Sequence, residues 1–304
     1  MVFQIARTLM LCRPVKISPG ALSRLYSSEV PKFETLAVSV PKKHVFHVEI
    51  NRPKQLNAFN ITMWQEFSDC FSYLSNNSEC RVIVLSGRGK HFTAGVDLKS
   101  FLEIANQLED IEDVGRRARA LNKIITKCQN GVTVLEDCVK PVLAVVHNAC
   151  VGAGIDLITA ADMRYCTEEA WFQVKEVDIG LAADVGTLQR LPKIIGNTST
   201  VRELCYTARK VTSKEALELG LVSRIYPDQE IALKEVLEIA ETIAKKSPIA
   251  VQNSKINLVY SQSRPNKDGL YHINLINQAA LQSEDIKRSA MASATKSEPE
   301  FDDL

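Results

Sequence analysis

Strand-like and helix-like hydrophobic patterns alternate along the first part of the chain. Residues 34–50 alternate apolar and polar side chains, which predicts two strands separated by a turn at 41–43. Apolar residues then recur at helical spacing over 60–74, and the apolar run 81–86 is typical of a short buried strand. Strands that alternate with helices in this way indicate an α/β core built from repeated βα units.

A long helix and a second strand–helix–strand unit follow. Residues 114–135 predict a basic amphipathic helix, with a break near Asn130 and Gly131. The next predicted elements are a buried strand, a helix and a strand, at 141–146, 154–161 and 163–166.

The pattern becomes mostly helical after Val185. Helical spacing recurs over four segments, and Ser213 is the expected N-cap of the first. These segments are 213–219, 230–246, 249–260 and 268–292. We therefore divide the chain into an α/β core at 34–225 and a helical C-terminal region at 226–304, of a kind that often serves packing or assembly.

Composition excludes several classes of protein. The chain has 304 residues, of which 45% are hydrophobic and 24% charged, and its formal net charge is +1. These values are typical of a globular protein and give no sign of a nucleic-acid-binding surface. No apolar run approaches the eighteen residues that a membrane span needs. The eight cysteines lack C-x-x-C spacing, so we expect reduced and mostly buried thiols rather than disulfides.

The N-terminal 28 residues differ from the rest of the chain. They carry four basic residues and no acidic one, since the first acid is Glu29. Such a segment resembles a mitochondrial transit peptide, with cleavage expected near Tyr26. A secretory signal is a weaker interpretation because its apolar core, 8–12, is too short, and a tail without an address is the other alternative. The C-terminal Leu304 follows two aspartates, so the chain does not end in the Ser-Lys-Leu peroxisomal signal.

Three short stretches contain candidate chemistry, and the first is 92–98. A run of small and mixed residues here follows a predicted strand and leads into a helix: Ala94, Gly95, Val96, Asp97 and Leu98. Small residues let a ligand approach the backbone, and a free N–H at such a turn can donate to a developing oxyanion. Asp97 could equally be an ordinary helix N-cap.

The second stretch, 147–157, again takes a buried strand into small residues and a helix. Backbone N–H groups at a helix start favour an anion. Asp156 falls in the first helical turn, where a stabilising charge is its simpler role. The third stretch, 172–186, places Glu176, Asp178 and Asp184 in an apolar, glycine-bearing segment. Apolar surroundings raise carboxylate pKa values toward neutrality, which suits proton transfer, although solvated surface acids are the alternative and the one we expect for Asp178.

The order and spacing of these stretches resemble the crotonase (enoyl-CoA hydratase/isomerase) family. Further segments that carry the resemblance are 51–58, 186–192 and 216–222. The resemblance implies the crotonase (ClpP-like) superfold of repeated ββα units, with a helical C-terminal trimerisation region. It also implies an acyl-CoA substrate whose carbonyl oxygen lies against the N–H groups of Val96 and Ala153. Family members usually have Gly at the second position, but Ala keeps the N–H.

The resemblance also implies roles for the acids. Hydratases of the family have Glu at the positions of Asp156 and Glu176, whereas here the first is Asp and Asp184 stands where hydratases usually have Gly. This trio is similar to that of the family's dienoyl-CoA isomerases, which implies conversion of 3,5-dienoyl-CoA to 2,4-dienoyl-CoA in β-oxidation of unsaturated fatty acids. We expect Glu176 to remove the C2 proton, Asp184 to supply the C6 proton and Asp156 to tune one of them. The alternatives are 2-enoyl-CoA hydration, another crotonase activity, or a non-catalytic CoA-ester-binding protein.

Binding and assembly follow from the same resemblance. The CoA moiety is expected to contact Ala94, Gly95, Val96, Asp97, Leu98 and Ala153. Neither a metal nor a separate cofactor is expected, because CoA is part of the substrate and no residues have ligand spacing. The family commonly forms trimers and pairs of trimers, so we expect a homotrimer or homohexamer, located in the mitochondrial matrix.

Overall fold

The computed structural model describes residues 30–304, and Lys32–Leu304 form one compact unit. The predicted leader at 1–28, with its cleavage site near Tyr26, lies outside the described residues. The predicted boundary at residue 225 falls close to the end of the last strand, which is followed by four helices. Whether 226–304 drives assembly stays a prediction.

A six-stranded mixed sheet forms the centre of the molecule. Its strands lie in the order β1-β2-β3-β4-β6-β9, and all neighbours are parallel except β1 and β2, which form an antiparallel hairpin. The bounds are β1 Leu36–Lys42, β2 Val45–Ile50, β3 Val82–Gly87, β4 Val142–Val146, β6 Met163–Thr167 and β9 Arg224–Tyr226. The sequence had predicted the first five of these to within two residues.

A second, three-stranded sheet carries short strands that the hydrophobic pattern did not reveal. Its order is β5-β7-β8, with β5 Ala149–Val151, β7 Trp171–Gln173 and β8 Val211–Thr212. Segments of two or three residues are too short for a period-2 pattern to show. This small sheet matters for function, because β5 ends immediately before the helix that carries Asp156.

Eleven helices occur in the described part of the chain. They are α1 Ile61–Asn76, α2 Leu98–Glu109, α3 Val114–Asp137, α4 Ala153–Ala160, α5 Thr187–Ile195, α6 Thr198–Thr207, α7 Ser213–Glu218, α8 Gln229–Ala244, α9 Pro248–Ser261, α10 Asn266–Ala280 and α11 Glu284–Thr295. Together with the two sheets they give the mixed α/β architecture that the sequence predicted.

The core lies on both faces of the large sheet. On one face, Val82 and Val84 of β3 pack in a cluster with Val236 and small residues of α8. Successive strand residues point to opposite faces, so Ile83 and Leu85 face the other side, and all of β3 is buried. Buried parallel strands explain the continuous apolar runs in the sequence.

Helix α3 runs unbroken through Asn130 and Gly131, so the predicted break is wrong. A side chain on Gly131 would place its Cβ 2.6 Å from the backbone oxygen of Trp64 in α1. The glycine is therefore explained by the close approach of α1 and α3, and its cost in helix propensity is tolerated inside a packed helix.

Two other details differ from the sequence predictions. The segment expected as one helix over 268–292 is two helices, α10 and α11, separated near Ser283. The N-cap of α7 is Thr212, whose side chain accepts from the N–H of Glu215, while the Ser213 hydroxyl donates to the Glu168 carbonyl. Seven cysteines lie in the described residues, and all have free thiols, as predicted.

Candidate active site

Two of the predicted stretches lie side by side. The N–H of Thr93 donates to the Ala149 carbonyl at 3.0 Å, and the N–H of Val151 donates to the Thr93 carbonyl at 3.2 Å. Gly95 has a φ of +95°, and a Cβ there would lie 3.0 Å from the Val151 oxygen. Only glycine allows this conformation and this close approach, so the pairing brings residues 92–98 against the start of α4.

Two backbone N–H groups remain without a protein acceptor at this junction. Phe59 pairs with both neighbours of Val96, donating to Gly95 and accepting from Asp97, so the N–H of Val96 points to the other side. Ala153 is the first residue of α4, where an N–H has no partner within its helix. Within 30–304 neither N–H donates to another residue, as the proposed oxyanion hole requires.

Glu176 lies against the same turn. It begins a short 3-10 turn, Glu176–Ile179, directly after β7 and the loop that follows it. Gly152, which precedes Ala153, has a φ of +52°, and a Cβ added to it would lie 3.2 Å from Oε1 of Glu176. The carboxylate therefore sits beside the N-terminus of α4, close to the free N–H of Ala153.

The environment of Glu176 suits a base that works near neutral pH. Its Oε2 atom is buried and has no hydrogen-bond partner among the described residues. Burial, together with the nearby carboxylates of Asp156 and Asp184, raises the pKa of Glu176 to about 7. A buried carboxylate oxygen without a partner is costly for folding, and such groups mark functional sites.

Asp156 occupies the first turn of α4, as predicted, but it is almost fully buried, with 2% of its surface exposed. Its Oδ1 atom accepts from the N–H of Thr187 at 2.6 Å, so it caps the N-terminus of α5. Burial raises its pKa to about 6, while Thr187 and Arg190 act in the opposite direction. The residue thus links the helix beside the oxyanion hole to the loop that carries Asp184.

Asp184 has the opposite environment. It lies in the loop before α5, its side chain is exposed, and no hydrogen bond or ion pair of that side chain is formed within the described residues. Its charge nevertheless influences the pKa values of Glu176, Asp156 and the Cys128 thiol, so it lies near all three. The structure therefore brings the three predicted acids into one electrostatically coupled group.

The remaining predicted residues have structural roles as well. Asp97 caps α2 by accepting from the N–H groups of Lys99 and Ser100, and it forms an ion pair with Arg52 at 3.1 Å. Its carboxylate is thus committed to the fold. Asp178 is exposed and pairs with Lys175 at 2.9 Å, as expected for a surface acid.

Ala94 and Leu98 complete the predicted CoA-binding stretch. The N–H of Ala94 donates to the Leu56 carbonyl at 3.0 Å, which fixes the backbone of the stretch to the early segment 51–58. Leu98 begins α2 and is more than half exposed. An exposed apolar side chain beside an open pair of N–H groups leaves a surface that a ligand can cover.

Sequence reasoning missed two residues beside the acids. Gln129 in α3 donates from Nε2 to the backbone oxygen of Asp184 at 2.7 Å. Arg190 in α5 forms an ion pair with Glu136 at 2.7 Å and reaches the Val185 carbonyl at 3.5 Å. Arg190 lies in a segment typical of the family, whereas no sequence signal marks Gln129, which lies 55 residues from its acceptor.

Two further properties of the described chain concern metals and membranes. No group of three or more His, Cys, Asp or Glu side chains within 30–304 could hold a metal ion. None of the helices in that range is long and apolar enough to cross a membrane.

The sequence is similar to those of known proteins. The family model described as Enoyl-CoA hydratase/isomerase matches residues 41–304. The chain is 48% identical to a Pongo abelii protein named Delta(3,5)-Delta(2,4)-dienoyl-CoA isomerase, mitochondrial, over 88% of this chain and 81% of that protein. It is 43% identical to an Arabidopsis thaliana protein of that name, peroxisomal, over 84% of this chain and 92% of that one.

A solved structure shares the fold. The crystal structure of an enoyl-CoA hydratase from Bacillus anthracis superimposes with a TM-score of 0.78 and 25% identity, covering 88% of this chain and 99% of that chain. The likeness therefore extends over most of this chain.

Proposed function

The chain belongs to the enoyl-CoA hydratase/isomerase family, and on that premise we propose that it is a Δ(3,5)-Δ(2,4)-dienoyl-CoA isomerase. The reaction converts 3,5-dienoyl-CoA to 2,4-dienoyl-CoA and belongs to the β-oxidation of unsaturated fatty acids. The observation that carries the proposal is the placement of Glu176. Its Oε2 atom has no hydrogen-bond partner among the described residues, its pKa is raised to about 7, and its carboxylate lies beside the turn that carries the Ala153 N–H.

Proton removal is the first step. The thioester carbonyl accepts from the N–H groups of Val96 and Ala153, and Glu176 takes a proton from C2. The electron pair of that C–H bond spreads through the two double bonds to the carbonyl oxygen. Two preorganised N–H donors stabilise the resulting negative charge, and one such donor is typically worth about 3–4 kcal/mol in the transition state.

Proton return completes the isomerisation. Asp184, which must carry a proton in the free enzyme, gives it to C6 and is left as a carboxylate, and the double bonds are then at C2–C3 and C4–C5. Glu176 holds the C2 proton until both acids exchange protons with solvent and return to their starting states. C2 and C6 lie at opposite ends of the conjugated system, so one carboxylate cannot comfortably serve both. The exposed carboxylate of Asp184 and the partly buried carboxylate of Glu176 are separate groups, eight residues apart in the segment between β7 and α5, which supports a division of labour.

Asp156 acts through the other two acids. It caps the helix that follows Asp184, and its charge raises the pKa of Glu176. We assign it the role of a positioning residue that tunes the base.

The alternative of 2-enoyl-CoA hydration is less well supported. A hydratase uses a second carboxylate to activate water, and here the corresponding Asp156 is buried and committed to the Thr187 N–H. A non-catalytic role is also disfavoured. The buried Oε2 atom of Glu176 has no hydrogen-bond partner among the described residues, which is costly for folding and gives no advantage to a protein that only binds CoA esters.

The direct test is to assay both reactions on the purified protein. With 3,5-dienoyl-CoA we expect the absorbance of the conjugated 2,4-dienoyl product to appear, and with 2-enoyl-CoA we expect little loss of the enoyl chromophore. Glu176→Gln is the control, since it keeps the size of the side chain and removes the base. Hydration with no isomerisation would overturn the proposal, and tight CoA-ester binding without turnover would favour the non-catalytic alternative.

Assembly and location complete the proposal. We infer a homotrimer or homohexamer built through 226–304, where exposed apolar residues such as Leu270, Tyr271 and Met291 favour contact with another chain. Sedimentation should give three or six times the mass of one chain.

For location we propose the mitochondrial matrix. The basic, acid-free segment 1–28 supports import into mitochondria, and the Pongo abelii relative is named mitochondrial, although the Arabidopsis thaliana relative is named peroxisomal. Uptake by isolated mitochondria, with cleavage near Tyr26, tests this location. No cofactor is proposed, because CoA is part of the substrate.

A further inference from the structure

The loop that carries Asp184 is held by its backbone at three points between residues 184 and 187. Nε2 of Gln129 donates to the Asp184 carbonyl at 2.7 Å, and Nη1 of Arg190 reaches the Val185 carbonyl at 3.5 Å. The N–H of Thr187 donates to Asp156 at 2.6 Å. The exposed side chain of Asp184 takes part in none of these bonds. The position of its carboxylate therefore depends on where the backbone is held.

Helix α3 provides the support for two of these points. It supplies Gln129 directly, and it holds Arg190 through Glu136 at 2.7 Å and Thr133 at 3.1 Å. The helix is continuous over 24 residues and packs against α1 through Gly131. A side chain fixed on such a helix defines a position more accurately than one on a loop.

The chemistry of the proposed reaction makes that position important. Removal of the C2 proton spreads negative charge over C2, C4 and C6. A proton returned to C2 restores the substrate, one added at C4 gives 2,5-dienoyl-CoA, and one added at C6 gives 2,4-dienoyl-CoA. C4 and C6 are only two bonds apart, and a misplacement of about 1 Å can cost about 100-fold in rate.

We propose that Gln129 is a positioning residue that selects the site of proton return. By fixing the Asp184 carbonyl, it keeps the neighbouring carboxylate opposite C6 rather than C4. This inference rests on the proposed function, since it concerns the second step of the same reaction. It assigns to an amide side chain on α3 the choice between the 2,4- and 2,5-dienoyl products.

Gln129 is well suited to a mutational test. It is only partly buried, and its replacement by Ala removes one hydrogen bond and introduces a better helix former. Gln129→Met is the second variant, because Met keeps the length of the side chain without a donor. Gln282→Ala is the matched control, since Gln282 Nε2 donates to the Gln278 carbonyl at the same 2.7 Å on an exposed surface.

The experiment supplies 3,5-dienoyl-CoA in deuterated water and measures both products and the deuterium at C2, C4 and C6. For Gln129→Ala and Gln129→Met we expect 2,4-dienoyl-CoA formation to fall about tenfold, while C2 exchange stays within twofold of the wild type. The share of 2,5-dienoyl-CoA and of substrate labelled at C2 should rise. Gln282→Ala should match the wild type.

Two results would overturn the inference. One is an unchanged product ratio with an unchanged rate in both Gln129 variants. The other is an equal fall of C2 exchange and product formation, which would indicate a general structural role. Wild-type protein that forms no 2,4-dienoyl-CoA would instead defeat the proposed function, so the two failures are distinguishable.

Discussion

The inner acid pair, Asp156 and Glu176, and the outer acid, Asp184, occupy contrasting parts of one site. Asp156 is buried and Glu176 is partly buried, and their pKa values are raised to about 6 and about 7. The outer acid is exposed, with only its backbone tethered. The comparison shows that residues of this chain raise the pKa of the base, through burial and through the negative charges of the neighbouring acids. The outer acid is left exposed to solvent by the described chain.

The largest expected effect concerns the inner pair. Glu176→Gln removes the base but leaves the N–H groups of Val96 and Ala153 in place. We expect kcat for isomerisation to fall at least about 1,000-fold, in line with the usual contribution of general acid–base catalysis. Binding of a CoA thioester, measured by calorimetry, should change little. Activity within tenfold of the wild type would show that Glu176 is not the base.

The same variant should be more stable than the wild type at high pH. The folded-state pKa of Glu176, about 7, lies above the ordinary value of 4.5, so the folded protein binds more protons than the unfolded chain. The protonated Glu176 side chain therefore favours the folded state, and this contribution to the free energy of unfolding is lost as pH rises from about 4.5 to 7. Glu176→Gln should gain on the order of 2–3 kcal/mol in unfolding free energy at pH 8.

Urea denaturation at several pH values measures this gain. The difference between Glu176→Gln and the wild type should shrink as the pH approaches 5. A gain that does not vary with pH would mean that the buried charge is not its source.

A smaller effect is expected from a change at Gly152, which lies beside the carboxylate of Glu176 and directly before Ala153. Gly152→Ala forces a residue with a φ of +52° to carry a Cβ 3.2 Å from Oε1 of Glu176. We expect kcat to fall about 10- to 100-fold, because the carboxylate must move. Gly220→Ala is the control, since its φ is +75° but nothing lies within 4 Å of the added atom. Equal losses of activity in both variants would indicate general backbone strain.

The smallest effect concerns coupling within the inner pair. Asp156→Asn keeps an oxygen that can accept from the Thr187 N–H and removes a charge that raises the pKa of Glu176. The acid limb of kcat/KM, expected near pH 7 in the wild type, should move to lower pH by about 1 unit or less. A limb that stays in place would show that the charge of Asp156 does not raise the pKa of Glu176.

The sequence allowed the inner pair to be predicted better than its surroundings. The 3.6-residue pattern placed Asp156 in the first turn of α4, and the motif around 172–186 marked Glu176 as a candidate base. Local periodicity is enough for Asp156, which lies at the start of a predicted helix. The role of Glu176 as the base is implied by the resemblance to the crotonase family, because the strand before it, β7, was not predicted.

The surroundings depend on contacts between distant segments. Gln129 meets Asp184 across 55 residues of sequence, and Gly131 was predicted as a break because its partner, the Trp64 carbonyl, cannot be seen in a local window. The commitment of Asp156 to Thr187 is likewise a tertiary contact. Tertiary packing overrides local propensity at such positions.

The contrast between the two kinds of acid is tested most directly by following deuterium in Asp184→Asn. The variant and the wild type are incubated with 3,5-dienoyl-CoA in deuterated water, and label is measured at C2 and C6. The account predicts that the variant still exchanges at C2, through the intact inner pair, but forms no 2,4-dienoyl-CoA and gains no label at C6. Loss of C2 exchange with C6 exchange intact would contradict it and reverse the roles of Glu176 and Asp184.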